Sequence, residues 1–168
     1  MLPFVDPDSE LNLNLGITLI IICILSKTPK GILKINNERL RIYLYLVKNP
    51  TSLNRTLRFL GKPVVKLNEL ETYSVSSISP NIDPLFDREE LHSILRILTS
   101  KVLIQAEYKE KNGFFLTTTD AGIGISDKLE GQYFLNIKSR CETLKKTLSI
   151  SETQLSQALN TTIRMESI

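Results

Sequence analysis

Acid–base and nucleophilic catalysis require several groups that converge on one point, and this sequence supplies few of the usual ones. His92 is its one histidine. It follows Leu91 on the polar side of a helical pattern, where a surface histidine is the simpler reading than a general base. The two cysteines, Cys23 and Cys141, lie far apart, each inside an apolar helical run where cysteine behaves as a small hydrophobe. Two distant thiols and one imidazole are a poor ligand set for zinc. Neither Gly-x-Ser-x-Gly nor the phosphate-cradling Gly-x-x-x-x-Gly-Lys-Ser/Thr occurs, so esterase and NTPase chemistry lack support. Glu89 and Glu90 fit first-turn charges at a helix N-terminus better than a catalytic pair. These residues read as a binding subunit rather than an enzyme, with no catalytic residue, no metal, no cofactor and no evident small-molecule substrate.

Charge carries more information. Residues 27–66 hold ten lysines and arginines against Glu38 alone, a local +9 in a chain whose net charge is +3. Such asymmetry suits a polyanion or an acidic protein surface, or else a solvated basic face. Arg39, Arg41 and Lys48 fall on one predicted helix, and Arg55, Arg58 and Lys62 on or just after the next. All six are candidates for nucleic-acid contact. The helix expected before residue 102 mixes Arg88, Glu89, Glu90 and Arg96, which is a poor reader of bases. Weak, sequence-independent DNA contact is the most this pattern supports.

The elements that must position these groups follow from periodicity. Residues 13–25 read as a buried helix: the apolar run at 17–25 falls short of the roughly 20 residues that span a bilayer. Acidic residues precede it and no small-residue cleavage site follows it, so neither a membrane span nor an export signal is expected, and the cytoplasm is the default. A short strand at 32–35 precedes a helix capped by Asn36 or Asn37 and ending at Lys48. A third helix is capped by Thr51 or Ser52, and one more strand is expected around 63–67. Asp87 and Glu90 form a capping box, with Phe86 and Leu91 as a hydrophobic staple, for a helix to Ser100. Asn112-Gly113 between two β-prone runs predicts a type I′ hairpin. A long helix then carries Phe134, Ile137, Cys141, Leu144 and Leu148 at 3-4-3-4 spacing, a seam suited to a partner helix. Ser151 and Gln154 box the last helix, with Ile150 and Leu155 as its staple.

The resulting expectation is a mainly α fold with small β, a winged-helix-like α+β chain of one or two helix-turn-helix or winged-helix units plus C-terminal helices. Its organisation reads as an N-terminal helical unit with a basic helix-turn-helix-like segment at 1–66, a connector at 67–86, and a winged-helix-like unit at 87–168 with its wing at about 102–117.

The helix, Asn-Gly hairpin and following Thr119-Asp120-Ala121-Gly122 resemble the wing of bacterial winged-helix domains, in which a strand commonly leads into Leu-Thr-x-x-Gly. Here Thr118 separates Leu116-Thr117 from that motif. The opening Leu2-Pro3-Phe4-Val5-Asp6-Pro7, then Leu13-Asn14-Leu15-Gly16, the apolar helix and the chain length are similar to the middle components of ABC-three-component systems, the Lamassu-type anti-phage defences. That resemblance implies a non-catalytic, winged-helix-like adaptor that joins an SMC-like ATPase subunit to an effector subunit, and the spacing of the 134–148 seam makes it the expected docking surface. A homodimeric DNA-binding transcriptional regulator, dimerised through the same seam, is the alternative.

Overall fold

A fifteen-residue helix whose second half, from Leu19 to Leu25, is wholly apolar cannot lie on a surface; it has to be surrounded. The computed structural model, which describes residues 10–73 and 81–166, shows that arrangement. Helix α1 (Leu11–Leu25) is contacted by α2 (Asn37–Lys48), α5 (Arg88–Ser100), α6 (Asp120–Lys128), α7 (Gln132–Leu144) and strand β2 (Gly113–Thr118). Ile17, Leu19, Ile20, Ile21, Ile22 and Leu25 are all buried. Around this shell run α3 (Pro50–Phe59), the short α4 (Glu69–Tyr73) and α8 (Glu152–Glu166), with α8 laid along α3. Strand β1 (Ile104–Lys109) pairs antiparallel with β2, matching Ile104 to Thr118 and Tyr108 to Phe114. The molecule is therefore mainly helical with a small two-stranded sheet, as the sequence indicates. The units expected at 1–66 and 87–168 share one hydrophobic core, because α1 is covered largely by elements from the second half. The opening 2–7 motif and residues 74–80 of the expected connector lie outside the described residues.

Local signals explain most boundaries. Asn36 caps α2 by accepting from the Arg39 N–H at 2.9 Å, and Asp87 caps α5 by accepting from the Glu90 N–H at 3.0 Å. Ser151 and Gln154 form the expected reciprocal box, the Gln154 N–H reaching Ser151 Oγ at 3.2 Å. Other expectations are corrected. Helix α3 starts at Pro50, whose fixed φ suits a first helical position, and Asn49 makes no side-chain cap there. The segment at 32–35 forms only an isolated bridge between Lys27 and Leu33, although the Ile35 carbonyl accepts from the Leu116 N–H at 2.8 Å and so flanks β2. No strand forms at 63–67, because the Asn54 side chain takes both the N–H and the C=O of Val65, at 2.8 and 2.7 Å. Phe86 is 70% exposed and staples nothing. The hairpin turn places positive φ at Lys111 and Gly113 rather than at Asn112 and Gly113, so it is not the expected type I′ pair. The long helix after Thr119 is broken into α6 and α7 by Gly131, whose φ of 101° no other residue type adopts readily.

The junction of α5, hairpin and α6 is held by backbone geometry. Helix α5 ends in a Schellman turn in which the Leu103 N–H reaches the Leu98 carbonyl at 3.0 Å and the Val102 N–H reaches Thr99 at 2.9 Å. Glycine usually fills the left-handed position; here it is Val102, at φ 57°. Thr119 caps α6 by accepting from the Gly122 N–H at 3.1 Å while its hydroxyl donates to the Val102 carbonyl at 2.6 Å. A Cβ on Gly122 would lie 2.0 Å from the Leu103 carbonyl oxygen, which explains the glycine of Thr-x-x-Gly without reference to function.

Two substitutions test this junction. Gly122→Ala should lower unfolding free energy by roughly 3 kcal/mol through that overlap. Val102→Gly should raise it by about 1 kcal/mol by releasing a strained β-branched residue from the left-handed region. Urea unfolding followed by circular dichroism measures both, and opposite signs would refute the assignment.

Candidate nucleic-acid interface and partner surfaces

The seam expected to receive a partner helix is filled from within. Ile137 and Leu144 are 0% exposed and Leu148 is buried, all in the same cluster as α1. Phe134 packs over Gly16 so closely that a Cβ there would sit 3.0 Å from its ring. The partner helix is α1 of the same chain. This corrects the partner-facing expectation for Phe134, Ile137, Leu144 and Leu148, and it removes the surface through which a regulator would have dimerised.

The six basic candidates separate into three groups. Arg39 is only 4% exposed, since its guanidinium reaches inward to the carbonyls of Ile150 at 2.8 Å and Thr147 at 3.5 Å and to the Tyr43 hydroxyl at 3.2 Å. Cationic donors suit the carbonyl-rich end of a helix, here the turn that follows α7. Arg41 is engaged with the Leu85 carbonyl and with Glu38. Enclosure corrects the assignment of Arg39, and Arg41 is largely covered with its guanidinium turned to partners in the protein. Lys48 is half-buried beside Asn49 and Glu90, in the depression between α2 and α5. Arg55 and Arg58 are exposed and Lys62 is half-buried, and the spacing of these residues puts them on one face of α3 and its end. Arg55 also pairs with Glu166 at 2.9 Å. Arg140, which sequence reading did not single out, repeats the role of Arg39: it donates to the Val47 carbonyl at 2.6 Å and pairs with Glu71 at 2.7 Å.

The surviving α3 face borders a depression of about 650 Å³ between α3 and α8. Phe59, 59% exposed, and Lys62 stand on one wall. Gln154, Gln157, Thr161 and Arg164 follow one another along the other, near-helical repeats that align them on one side of α8, and Asn160 joins them. No carboxylate lines it among the described residues. The α8 side chains were missed because they sit about a hundred residues from the basic segment; the signal that could have found them is their i, i+3, i+7, i+10 spacing. A second depression of about 410 Å³ gathers Lys30 and Lys34 with Lys145 and Lys146, joining two lysine pairs that are far apart in sequence.

The hairpin offers a different surface. Apart from Ile104, every residue of β1 is exposed, and β2 is its only strand partner among the described residues. Tyr108 and Phe114, 62% and 65% exposed, meet across the strands in a tilted arrangement with ring centroids 5.2 Å apart.

The thiols are set by burial. Cys141 is wholly enclosed and desolvation pushes its pKa far up, while the half-buried Cys23 is raised for the same reason; both are free. Burial lowers the thiolate fraction, so neither is an activated nucleophile. Among the described residues no group of metal-binding side chains converges, and no helix is long and apolar enough to cross a membrane.

The interior seam makes a direct prediction. Leu144→Glu should abolish the cooperative helical melt seen by circular dichroism, since it places a carboxylate where there is no water. Arg58→Glu, on the exposed face, should melt within a few degrees of the parent chain. A folded Leu144→Glu protein would return the seam to the surface.

Among known protein families, the model described as ABC-three component (ABC-3C) system Middle Component 4 matches residues 25–157, most of the chain. No curated protein and no solved structure matched. The matched span begins after residues 2–7 and 13–16, on which the resemblance to these middle components rested, and includes the hairpin and α7.

Proposed function

Since the chain belongs to the middle component 4 family of ABC-three-component systems, we propose that it is the non-catalytic adaptor of an anti-phage defence complex, holding an SMC-like ATPase subunit to an effector subunit by protein–protein contact. Family membership makes it one component of a multi-component system, with protein partners. The remaining question is which of its surfaces they use.

The observation that carries this reading is the hairpin. An exposed strand offers a row of backbone donors and acceptors, which in a protein that stays alone is usually short, charged or covered. β1 is six residues long, its charges are confined to Glu107 and Lys109, which pair with each other at 3.3 Å, and it adds a tilted aromatic pair near its tip. Aromatic side chains held rigid by a neighbour are the residues that dominate protein interfaces, and an open edge accepts a partner strand. The rigid α5–hairpin–α6 junction, fixed by Val102, Leu103 and Thr119, aims this surface; we read the unit as winged-helix-like and employed in docking. The exposed basic residues of α3 leave room for DNA beside the assembled complex.

Co-expression of the three components of the system, with affinity capture on the ATPase, tests the proposal. Tyr108→Ala together with Phe114→Ala should weaken capture by at least about 30-fold, the loss expected of interface hot spots, with the helical spectrum unchanged. Full retention of the double variant in the complex would exclude the hairpin as the docking surface.

A further inference from the structure

The α3–α8 groove has a composition that adaptor docking does not explain. We propose that it binds single-stranded nucleic acid, stacking a base on Phe59 and holding the adjoining phosphates with Lys62 and Arg164.

Three properties lead there. First, the groove combines the groups that such a ligand uses: an exposed ring for the face of a base, carboxamides of Gln154, Gln157 and Asn160 for its edge, and cations for phosphate. An acidic peptide would need the cations but neither the ring nor the carboxamide row. Second, both charged side chains that line the groove, Lys62 and Arg164, are cationic. Of the carboxylates at the two ends of α8, Glu166 is paired with Arg55 at 2.9 Å, and Glu152 accepts from the Asn36 side chain at 2.6 Å. Third, a second basic site lies close along the chain: Ile150 lines the groove, and Leu148 and Ser149 line the depression that holds Lys30, Lys34, Lys145 and Lys146, so the 148–150 turn borders both. Lys145 has Glu142 beside it at 2.8 Å, an exposed pair that phosphate can displace. A strand laid along the groove and over that turn passes from a stacking site to a cluster of lysines.

Shape favours one strand over two. A duplex is read by an element that projects into its groove, whereas this site is a concavity of about 650 Å³ whose aromatic ring is useful only to an unstacked base. The site does not depend on the identity of the protein partner.

Fluorescence anisotropy of the full chain with labelled single-stranded oligodeoxynucleotides, and with a duplex of equal length, tests the proposal. Single strands should bind more tightly than the duplex. Phe59→Ala should weaken single-strand binding roughly 5- to 150-fold, the range for loss of one stacked base, while Phe59→Tyr retains it. Lys145→Ala combined with Lys146→Ala should reduce the steepness of the salt dependence by about 0.7 for each phosphate that is no longer neutralised. Phe59 is exposed, so the variants should melt with the parent chain. Binding that ignores Phe59 and favours the duplex, competition by polyglutamate as strong as by oligonucleotide, or no binding at low salt would each overturn the proposal. Capture by the ATPase is read separately, so failure here leaves the adaptor assignment standing, and the reverse.

Discussion

Everything in this fold answers to α1. Its positions 16–22 are buried all round, with Thr18 turning its hydroxyl back to the Asn14 carbonyl, so this stretch must be enclosed by the rest of the chain. Burial at about 25 cal/mol per Å² makes that enclosure the main source of stability. The α7 stripe supplies the largest part of the cover. Gly16 lets Phe134 come down onto the helix backbone, and Ile137, Cys141 and Leu144 continue the packing. An apolar stripe that looks like a docking seam is therefore consumed in folding.

Two buried arginines close the shell in the polar direction. Arg39 reaches from α2 to the carbonyls after α7, and Arg140 reaches from α7 to the last turn of α2 and to Glu71 on α4. Arg140 satisfies the Val47 carbonyl in the last turn of α2, and Arg39 satisfies the Ile150 carbonyl in the turn before α8 while sharing that of Thr147 with the Ile150 N–H. Part of the positive charge between residues 27 and 66 is thus structural. What remains exposed is concentrated on α3 and around Lys30 and Lys34, which narrows where a polyanion can bind.

The sequence makes some of this plain and conceals the rest for physical reasons. Caps are local, so Asn36, Asp87 and Ser151 announce α2, α5 and α8 within a few residues of their true starts. The same signal exists at Asn68 and Glu71, which cap α4 reciprocally at 2.8 and 3.0 Å, yet it is hidden inside a stretch that otherwise looks like a connector. Periodicity shows that the stripe from Phe134 to Leu148 is covered but not by what, because an internal helix and a foreign one demand the same spacing. Arg39 reads as a surface charge because its acceptors are more than a hundred residues away. The α3–α8 groove is half legible: the α3 cations are near neighbours, while the α8 carboxamides are brought to them only by the tertiary fold.

The adaptor reading needs a rigid body that presents the hairpin at one place and the α3–α8 groove at another, both fixed by a core organised on α1. Native-state hydrogen exchange measures that rigidity residue by residue. Such a core predicts that the most protected amides of α1, α2 and α7 exchange only through global unfolding, with one common free energy. If α7 exchanged through a separate, lower-energy opening while α1 and α2 stayed protected, the chain would be two units docked on each other, and the central role given to α1 would be contradicted.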